Sequence, residues 1–296
     1  MIGEAYDLTR KLAGTVDAVI SAHTHQSYVC KIKGTQLTSA ASYGRMMTTL
    51  QLTVDTGAHK VTKISARNSA VDHKRKQATK VKATVDRYHK LLAPIAGKKV
   101  GYLKKEANRN PDKSGETVLG NITADAQLRA TKGKAKAQIA LVAHGLIRTN
   151  INQGPVTYGE VYAAQPFAQH VVTMTLTGRQ LDKALETQFC NPAAVHEDQR
   201  VPLAVSKGFT YKYDPDGKCG HLVRIRDFRL NGKKMTAAGK YRITINELIG
   251  SGESGFTVLA KGTNRVTGVL DRDALATYLT AHPKLKNPTR TRVSLR

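Results

Sequence analysis

The first hundred residues contain two short apolar strand patterns and one long helical pattern. Residues 16–20 form an apolar run that leads into a polar loop, and residues 48–54 alternate between apolar and polar positions, so both segments are predicted strands. From residue 77 to 94, apolar residues recur every three or four positions, with lysines and arginines between them. This spacing predicts an amphipathic connector helix followed by Pro94 and Gly97. Its apolar positions are Val81, Val85, Tyr88, Leu92 and Ile95.

Beyond residue 98 the pattern becomes a mixture of helices and strands. Val118, Ile122 and Ala126 follow helical spacing after a polar Ser-Gly-Glu segment. Thr177 and Gln180 have the spacing of a capping box, which predicts a new helix directly after a strand. The predicted strands are 138–142, 171–176, 209–213, 222–230 and 241–246, with a hairpin turn at Asn231-Gly232.

The charge of the chain changes the range of partners to consider. Its 296 residues carry 47 Lys+Arg and 22 Asp+Glu, a net charge of +25. Such an excess favours polyanions, but the basic residues are dispersed, aromatic residues make up 5% and tryptophan is absent. A solvated basic surface is therefore favoured over a dedicated nucleic-acid tail. No apolar run approaches the ~20 residues of a membrane span, and the N-terminus has no signal-peptide pattern, so the chain as written is expected to be cytoplasmic.

Three cysteines leave two alternatives open. Cys190 follows a helical pattern and Cys219 lies in a turn-rich stretch, so a disulfide between them would close a loop of modest length. The other alternative is three unpaired thiols, with Cys30 as the third.

Two histidines form the first candidate site. His23 and His25 stand two residues apart, so in an extended segment both would project to the same side, as two ligands of one metal would. A closed site needs about four ligands, and a two-metal site needs more. Taken alone, the pair favours a polar loop over a metal site.

Several motifs then occur in an order that resembles one family. Residues 16–26 read Val-Asp-Ala-Val-Ile-Ser-Ala-His-Thr-His-Gln, and residues 114–126 read Ser-Gly-Glu-Thr-Val-Leu-Gly-Asn-Ile-Thr-Ala-Asp-Ala. Segments 41–45, 144–148, 165–167, 176–178 and 246–256 follow the same order. Together they resemble the end of the metallophosphoesterase domain and the whole C-terminal domain of the 5'-nucleotidase and UDP-sugar hydrolase family.

The resemblance implies a metal site that this chain supplies only in part. Intact members of the family hold two divalent metal ions, and the positions of His23 and His25 match two of the ligands. The family's other ligands come from upstream Asp-x-His, Asp, Asn-His and His elements, which the sequence lacks. The catalytic histidine is among them. We therefore expect weak metal binding or none, and no catalytic residue within the chain.

The resemblance also implies a substrate site in the second half. Arg148 matches the arginine that ends the family's Asn-x-Gly-Gly-Ile-Arg loop and helps hold the substrate phosphate, and Gly145 lies in that loop. Lys113 stands where relatives commonly carry another arginine, so it keeps the charge but loses the two-pronged contact. Phe167 matches the first base-stacking position, where a core phenylalanine is the competing explanation.

Three positions depart from the family pattern. The second stacking phenylalanine is replaced by Leu248, the Gly-Gly-Asp loop reads Gly-Glu-Ser-Gly around Ser254, and the loop asparagine is Ala143. These changes at ligand-facing positions predict weakened nucleotide recognition.

The sequence as a whole predicts an α+β chain in two unequal parts. Residues 1–70 are expected to be the remnant of a metallophosphoesterase domain, 71–97 the connector helix and 98–296 the substrate-binding domain. The implied activity is metal-dependent hydrolysis of nucleoside 5'-phosphates, and the chain alone is expected to be inactive. The alternative is a non-enzymatic basic module that binds nucleotides or RNA. Members of the family are usually exported.

Overall fold

The computed structural model describes residues 3–190 and 201–296. The chain divides into two compact units, Met1–Val85 and Asp86–Arg296. No helix among the described residues is both long and apolar enough to cross a lipid bilayer.

The first unit is built mainly from small sheets. Strand β1 pairs in parallel with β3, which pairs antiparallel with β2, and β4 and β5 form a separate two-stranded antiparallel sheet. The two strands predicted here are confirmed, although β1 covers only the end of the predicted segment. Its elements are α1 (Gly3–Leu12), β1 (Ala18–Ile20), β2 (Ser27–Ile32), β3 (Thr35–Ala40), β4 (Met46–Asp55) and β5 (Lys60–Ala70).

Within the range 71–97 that was predicted as a connector helix, the structure has α2 (Thr79–Ala96), which begins eight residues later than predicted. None of its residues is buried. The spacing placed Pro94 after the amphipathic segment, but Pro94 lies inside the last turn of the helix. A proline lacks the N–H that would donate to the carbonyl four residues earlier, and its ring crowds that carbonyl, but residues after it can still donate to the helix. The Gly97 N–H still donates to the Ala93 carbonyl at 2.8 Å, which closes the helix after the proline.

The second unit contains a mixed five-stranded sheet in the order β10-β7-β14-β9-β15. Strands β7 and β14 are parallel, and the other neighbouring pairs are antiparallel. A four-stranded sheet, β13-β12-β11-β16, and the pair β6-β8 complete it. Its strands are β6 (Lys99–Leu103), β7 (Ile139–Val142), β8 (Gly154–Thr157), β9 (His170–Thr177), β10 (Ala204–Val205), β11 (Phe209–Tyr213), β12 (Arg229–Leu230), β13 (Lys233–Lys234), β14 (Lys240–Asn246), β15 (Thr263–Leu270) and β16 (Val293–Leu295). Its other helices are α3 (Val118–Lys132), α4 (Tyr158–Ala164), α5 (Gly178–Cys190), α6 (Glu247–Gly250) and α7 (Asp271–Ala281).

The central sheet is apolar on both faces. Ile139 and Leu141 of β7 belong to one hydrophobic cluster, which includes Leu181 and Leu185 of α5. Val142 belongs to the other cluster, with apolar residues of α3 and α7. Because successive strand residues point to opposite faces, helices must cover both sides of the sheet. The expected mixture of helices and sheets is therefore confirmed.

Local sequence signals were accurate in two places. The Thr177 hydroxyl accepts from the Gln180 N–H at 3.2 Å, and the Gln180 side chain accepts from the Thr177 N–H at 2.8 Å, which is the predicted capping box. Asn231 and Gly232 have φ values of 50° and 78° and connect β12 to β13. Positive φ at both central positions is what a type I' hairpin turn requires.

The predicted strand at 222–230 is wrong over most of its length. A 3-10 turn occupies Ile225–Asp227, and only Arg229–Leu230 is a strand. The neighbours Leu222 and Val223 are both buried, which a regular strand against one core would not allow. The apolar residues of this irregular segment pack into the core without forming a strand.

Two long-range connections join the end of α5 to the loop that carries Cys219. Of the two alternatives for the cysteines, the structure has the Cys190–Cys219 disulfide and leaves Cys30 free. The Glu186 carboxylate, one turn before Cys190, accepts backbone N–H groups of Gly220, Leu222 and Val223 at 2.7–3.2 Å. The loop that carries Cys219 is therefore fixed to α5 by a covalent bond and by three hydrogen bonds.

The C-terminal segment is fixed to α3 through buried charged groups. The Glu116 Oε1 atom accepts the backbone N–H groups of Arg292 and Val293 at 2.7 and 2.8 Å. Arg292 donates from both terminal nitrogens to the two carboxylate oxygens of Asp125, each at 2.8 Å. Glu116 and Asp125 belong to the 114–126 motif, so part of that motif has a structural role.

Candidate functional site

One edge of the central sheet collects the segments that carry most of the predicted substrate residues. Strands β7 and β14 are parallel and end at the same edge, whereas β9 is antiparallel to β14 and begins there. Strand β15 is antiparallel to β9 and also ends there. We call this the site edge. Arg148 follows β7, Phe167 precedes β9, and Leu248 and Ser254 follow β14.

The loop after β7 holds Arg148 in a defined position. Its Ile147 side chain is fully buried, and the Ile147 N–H donates to the His144 carbonyl at 3.0 Å. The Arg148 backbone N–H donates to the carbonyl of Ala164, the last residue of α4, at 2.9 Å. Its Nη1 atom donates to the Gly145 carbonyl at 3.1 Å. Gly145 therefore contributes through its backbone oxygen, which orients the guanidinium group.

Arg148 and Phe167 lie next to one another. The Arg148 guanidinium carbon is 5.8 Å from the centre of the Phe167 ring, within cation–π range. The Phe167 side chain is 47% exposed, so it is not a core residue. A cation and an open aromatic face at this spacing can bind a phosphate and stack on a planar base.

A second arginine lies at the same loop, and sequence reasoning missed it. Arg109 Nη2 is 3.2 Å from His144 Nε2. Ala107 and Ile151 exchange two backbone hydrogen bonds, of 2.9 and 3.1 Å, which bring the segment of Arg109 beside the loop after β7. No motif or spacing around Arg109 indicates this contact, since it depends on pairing between residues far apart in sequence.

His144 is kept neutral by its surroundings. Burial, and then the positive charges of Arg109 and Arg148, lower the pKa of His144 to about 4. An imidazole that is neutral near pH 7 can accept a hydrogen bond from Arg109 without adding a third positive charge. The loop therefore presents two guanidinium groups around one neutral ring.

Lys113 lies in different surroundings. It is exposed and lines a surface cavity of about 540 Å³ together with Asp112, Ser114, Arg290, Thr291 and residues of β16. None of these residues belongs to the segments that carry Arg148, Phe167 or Ser254. Its role in substrate binding stays a prediction.

Leu248 and Ser254 follow β14 at the site edge. Leu248 lies in the short helix α6 and is 41% exposed, whereas Ser254 has a φ of 53° in the loop beyond it. Arg265 of β15 donates to the carbonyls of Gly250 and Leu259 at 2.9 and 3.3 Å. These two carbonyls flank the loop, so Arg265 fixes both of its ends.

His23 and His25 lie in the first unit and do not form an extended pair. Both are exposed, and their φ values of 72° and 61° place them in the left-handed region. The His25 ring contacts Tyr43 edge-on, with 5.5 Å between ring centres. Within residues 3–190 and 201–296, no group of three or more histidine, cysteine, aspartate or glutamate side chains could hold a metal. The two histidines by themselves do not fit a two-metal centre.

Comparison with known proteins points in the same direction as the motifs. The family model described as 5'-nucleotidase, C-terminal domain matches residues 99–261, more than half of the chain. The trifunctional nucleotide phosphoesterase protein YfkN of Bacillus subtilis is 28% identical over 269 residues, covering 87% of this chain and 18% of that protein. An apyrase of Anopheles gambiae is 32% identical over 168 residues, covering 55% of this chain and 29% of the apyrase. The chain thus spans less than a third of either relative.

Solved structures share the fold. A 5'-nucleotidase precursor from Thermus thermophilus superposes with a TM-score of 0.73 at 23% identity, covering 98% of this chain and 62% of that chain. The sulfate thiohydrolase SoxB from Thermus thermophilus superposes with a TM-score of 0.65 at 16% identity, covering 99% and 53%. At these identities the likeness establishes the fold alone.

Proposed function

This chain belongs to the 5'-nucleotidase C-terminal domain family, and we propose that its second unit binds nucleoside 5'-phosphates at the site edge. The observation that carries the proposal is the Arg148 guanidinium group beside the open ring of Phe167. Arg148 would bind the phosphate and Phe167 the base. Arg109, next to His144, would supply a second guanidinium group.

The phosphate should contribute most of the affinity. Arginine remains charged and matches phosphate oxygens with two parallel donors. On the base side Phe167 offers one aromatic face, whereas Leu248 offers only an aliphatic side chain where the resemblance leads us to expect a second ring. We therefore expect modest affinity, with a preference for nucleotides over inorganic phosphate that depends on Phe167.

Titration calorimetry with a nucleoside monophosphate and with inorganic phosphate tests this division of roles. Loss of a charge-assisted contact costs about 1.5–3 kcal/mol, so Arg148→Ala should lower the affinity for both ligands about tenfold or more. Phe167→Ala should lower the affinity for the nucleotide only. Arg87→Ala is a matched control, because Arg87 lies 5.3 Å from the Tyr88 ring on α2, outside the site segments. If both ligands bind the Arg148 and Phe167 variants as they bind the wild-type chain, the site is misplaced.

We further propose that this chain alone hydrolyses nucleotides at background rates. The resemblance implies that hydrolysis in the family depends on two divalent metal ions, and His23 and His25 supply at most two ligands. Phosphate release from a nucleoside monophosphate should therefore stay at the buffer rate when manganese or zinc is added. Metal-dependent turnover that His23→Ala abolishes would contradict this proposal.

The remaining alternative is a basic module that binds RNA without chemistry. It predicts tight RNA binding that is unchanged by Arg148→Ala and Phe167→Ala, and the family assignment does not favour it. The Cys190–Cys219 disulfide favours an oxidising compartment, as for exported members of the family, and counts against the cytoplasmic location expected from the N-terminal sequence. Trapping of free thiols in protein from cells tests this: modification of Cys190 or Cys219 would count against export.

A further inference from the structure

A second pair of an arginine and an exposed aromatic ring is connected through the backbone to the segment that carries Phe167. Tyr162, on α4, is 48% exposed, and the Arg272 guanidinium carbon lies 5.1 Å from the centre of its ring. This repeats the combination of Arg148 and Phe167, which have 5.8 Å between the corresponding points. Neither Tyr162 nor Arg272 belongs to the motifs that carry the family resemblance.

The backbone connects this second pair to the segment that carries Phe167. Tyr162 precedes Phe167 by five residues, so their Cα atoms are at most about 19 Å apart. The carbonyl of Ala164, near Tyr162, accepts the backbone N–H of Arg148 at 2.9 Å. Asp271, next to Arg272, donates its N–H to the Gln169 carbonyl at 2.8 Å. Both arginine–aromatic pairs are therefore attached to the segment 164–169 at the site edge.

The two helices that carry the second pair are joined to one another. The Tyr158 hydroxyl donates to Asp273 Oδ1 at 2.9 Å, which joins α4 to α7 one residue beyond Arg272. At the start of α4, the Thr157 hydroxyl accepts the Glu160 N–H at 3.3 Å and the Glu160 carboxylate accepts the Thr157 N–H at 2.9 Å. The backbones that carry the ring and the cation are therefore positioned before a ligand binds, which lowers the ordering cost of binding.

We propose that Tyr162 and Arg272 form a second subsite, which binds the second base and phosphate of a dinucleotide. The proposal rests on the proposed function, because the first nucleotide is taken to occupy Arg148 and Phe167. Every base has a face that can stack on Tyr162, and Arg272 carries a permanent charge for a second phosphate. The ligand class is a dinucleotide, joined by either a phosphodiester or a pyrophosphate.

Equilibrium titration of the full chain with three ligands tests the subsite. They are a nucleoside monophosphate, a 5'-phosphorylated dinucleotide with a phosphodiester link, and a dinucleotide with a pyrophosphate link. One dinucleotide should bind about tenfold more tightly than the monophosphate, the gain expected from one additional stacked base. The dinucleotide that shows the gain identifies the linkage.

Two substitutions separate the subsite from the first nucleotide site. Tyr162→Leu keeps an apolar side chain without an aromatic face, and Arg272→Met removes the charge; each should abolish the dinucleotide gain and leave monophosphate affinity unchanged. Tyr88→Ala is the matched control, because Tyr88 is 52% exposed beside Arg87 and should leave all three affinities unchanged. Thermal melting verifies that each variant folds.

The outcomes distinguish this proposal from the proposed function. Equal wild-type affinity for the monophosphate and both dinucleotides overturns the subsite, and so does a gain that survives both substitutions. If Arg148→Ala and Phe167→Ala do not affect the monophosphate while Tyr162→Leu still lowers dinucleotide affinity, the second subsite is supported and the first site is wrong. If none of the three ligands binds, both proposals are wrong.

Discussion

Replacing Arg292 by methionine should strongly destabilise the second unit. The Arg292 side chain is 9% exposed and that of its partner Asp125 is 14% exposed. Besides the two bonds to Asp125, Arg292 Nη1 donates to the Val205 carbonyl at 2.7 Å. The substitution keeps most of the side-chain volume but leaves the Asp125 carboxylate buried without its cation. Breaking a buried ion pair in this way costs about 3–5 kcal/mol.

The chain provides a matched control for this substitution two residues earlier. Arg290 Nε lies 3.4 Å from Asp112 Oδ2, but their side chains are 37% and 22% exposed. A solvated ion pair contributes about 0–1 kcal/mol, so Arg290→Met should have little effect. Both substitutions remove one positive charge from the same segment, so the difference between them isolates the effect of burial.

Thermal unfolding followed by circular dichroism measures the difference. For a unit of this size each kcal/mol shifts the midpoint by about 2–4 °C, so Arg292→Met should lower it by about 6–20 °C. Adding Asp125→Asn to Arg292→Met should restore part of the loss, because the uncompensated charge is then removed. If Arg292→Met shifts the midpoint no more than Arg290→Met, the buried pair is not what fixes the C-terminal segment.

Three further predictions concern single groups. The pKa of His144 is about 4 instead of 6.5, so between these pH values the unfolded chain binds more protons and the folded state loses stability as the pH falls. Thermal melting at pH 7 and pH 4.5 should therefore show a smaller loss of stability in His144→Gln than in the wild-type chain. An equal loss in both would contradict the assignment. Cys190→Ser should lower the free energy of unfolding in urea by about 2–4 kcal/mol under oxidising conditions. Cys30→Ser, at the free cysteine, should change it little. Equal effects of the two substitutions would refute a stabilising disulfide. Gly232→Ala should destabilise the hairpin by about 1–2 kcal/mol because its φ is 78°; unchanged stability in urea would mean that the turn tolerates a side chain.

Some residues of the candidate site could be predicted from the sequence and others could not. The motifs predicted Arg148, Phe167, Leu248 and Ser254 as site residues, and all four lie at the site edge because they adjoin neighbouring strands. Arg109 belongs to no motif, and it reaches His144 through a pairing between residues 44 positions apart, Ala107 and Ile151. A motif can indicate which residue types serve a site, but it does not indicate which distant segment will lie beside them.

The sequence by itself determined the elements whose hydrogen bonds close within a few residues. The capping box of Thr177 and Gln180 and the turn at Asn231-Gly232 formed as predicted, because their partners are at fixed spacings along the chain. Tertiary structure alone decided that 222–230 is mostly not a strand, and that Arg292 pairs with Asp125, 167 residues away. Such contacts depend on strand order and on which core positions remain to be filled. Both are set only when the whole unit packs together.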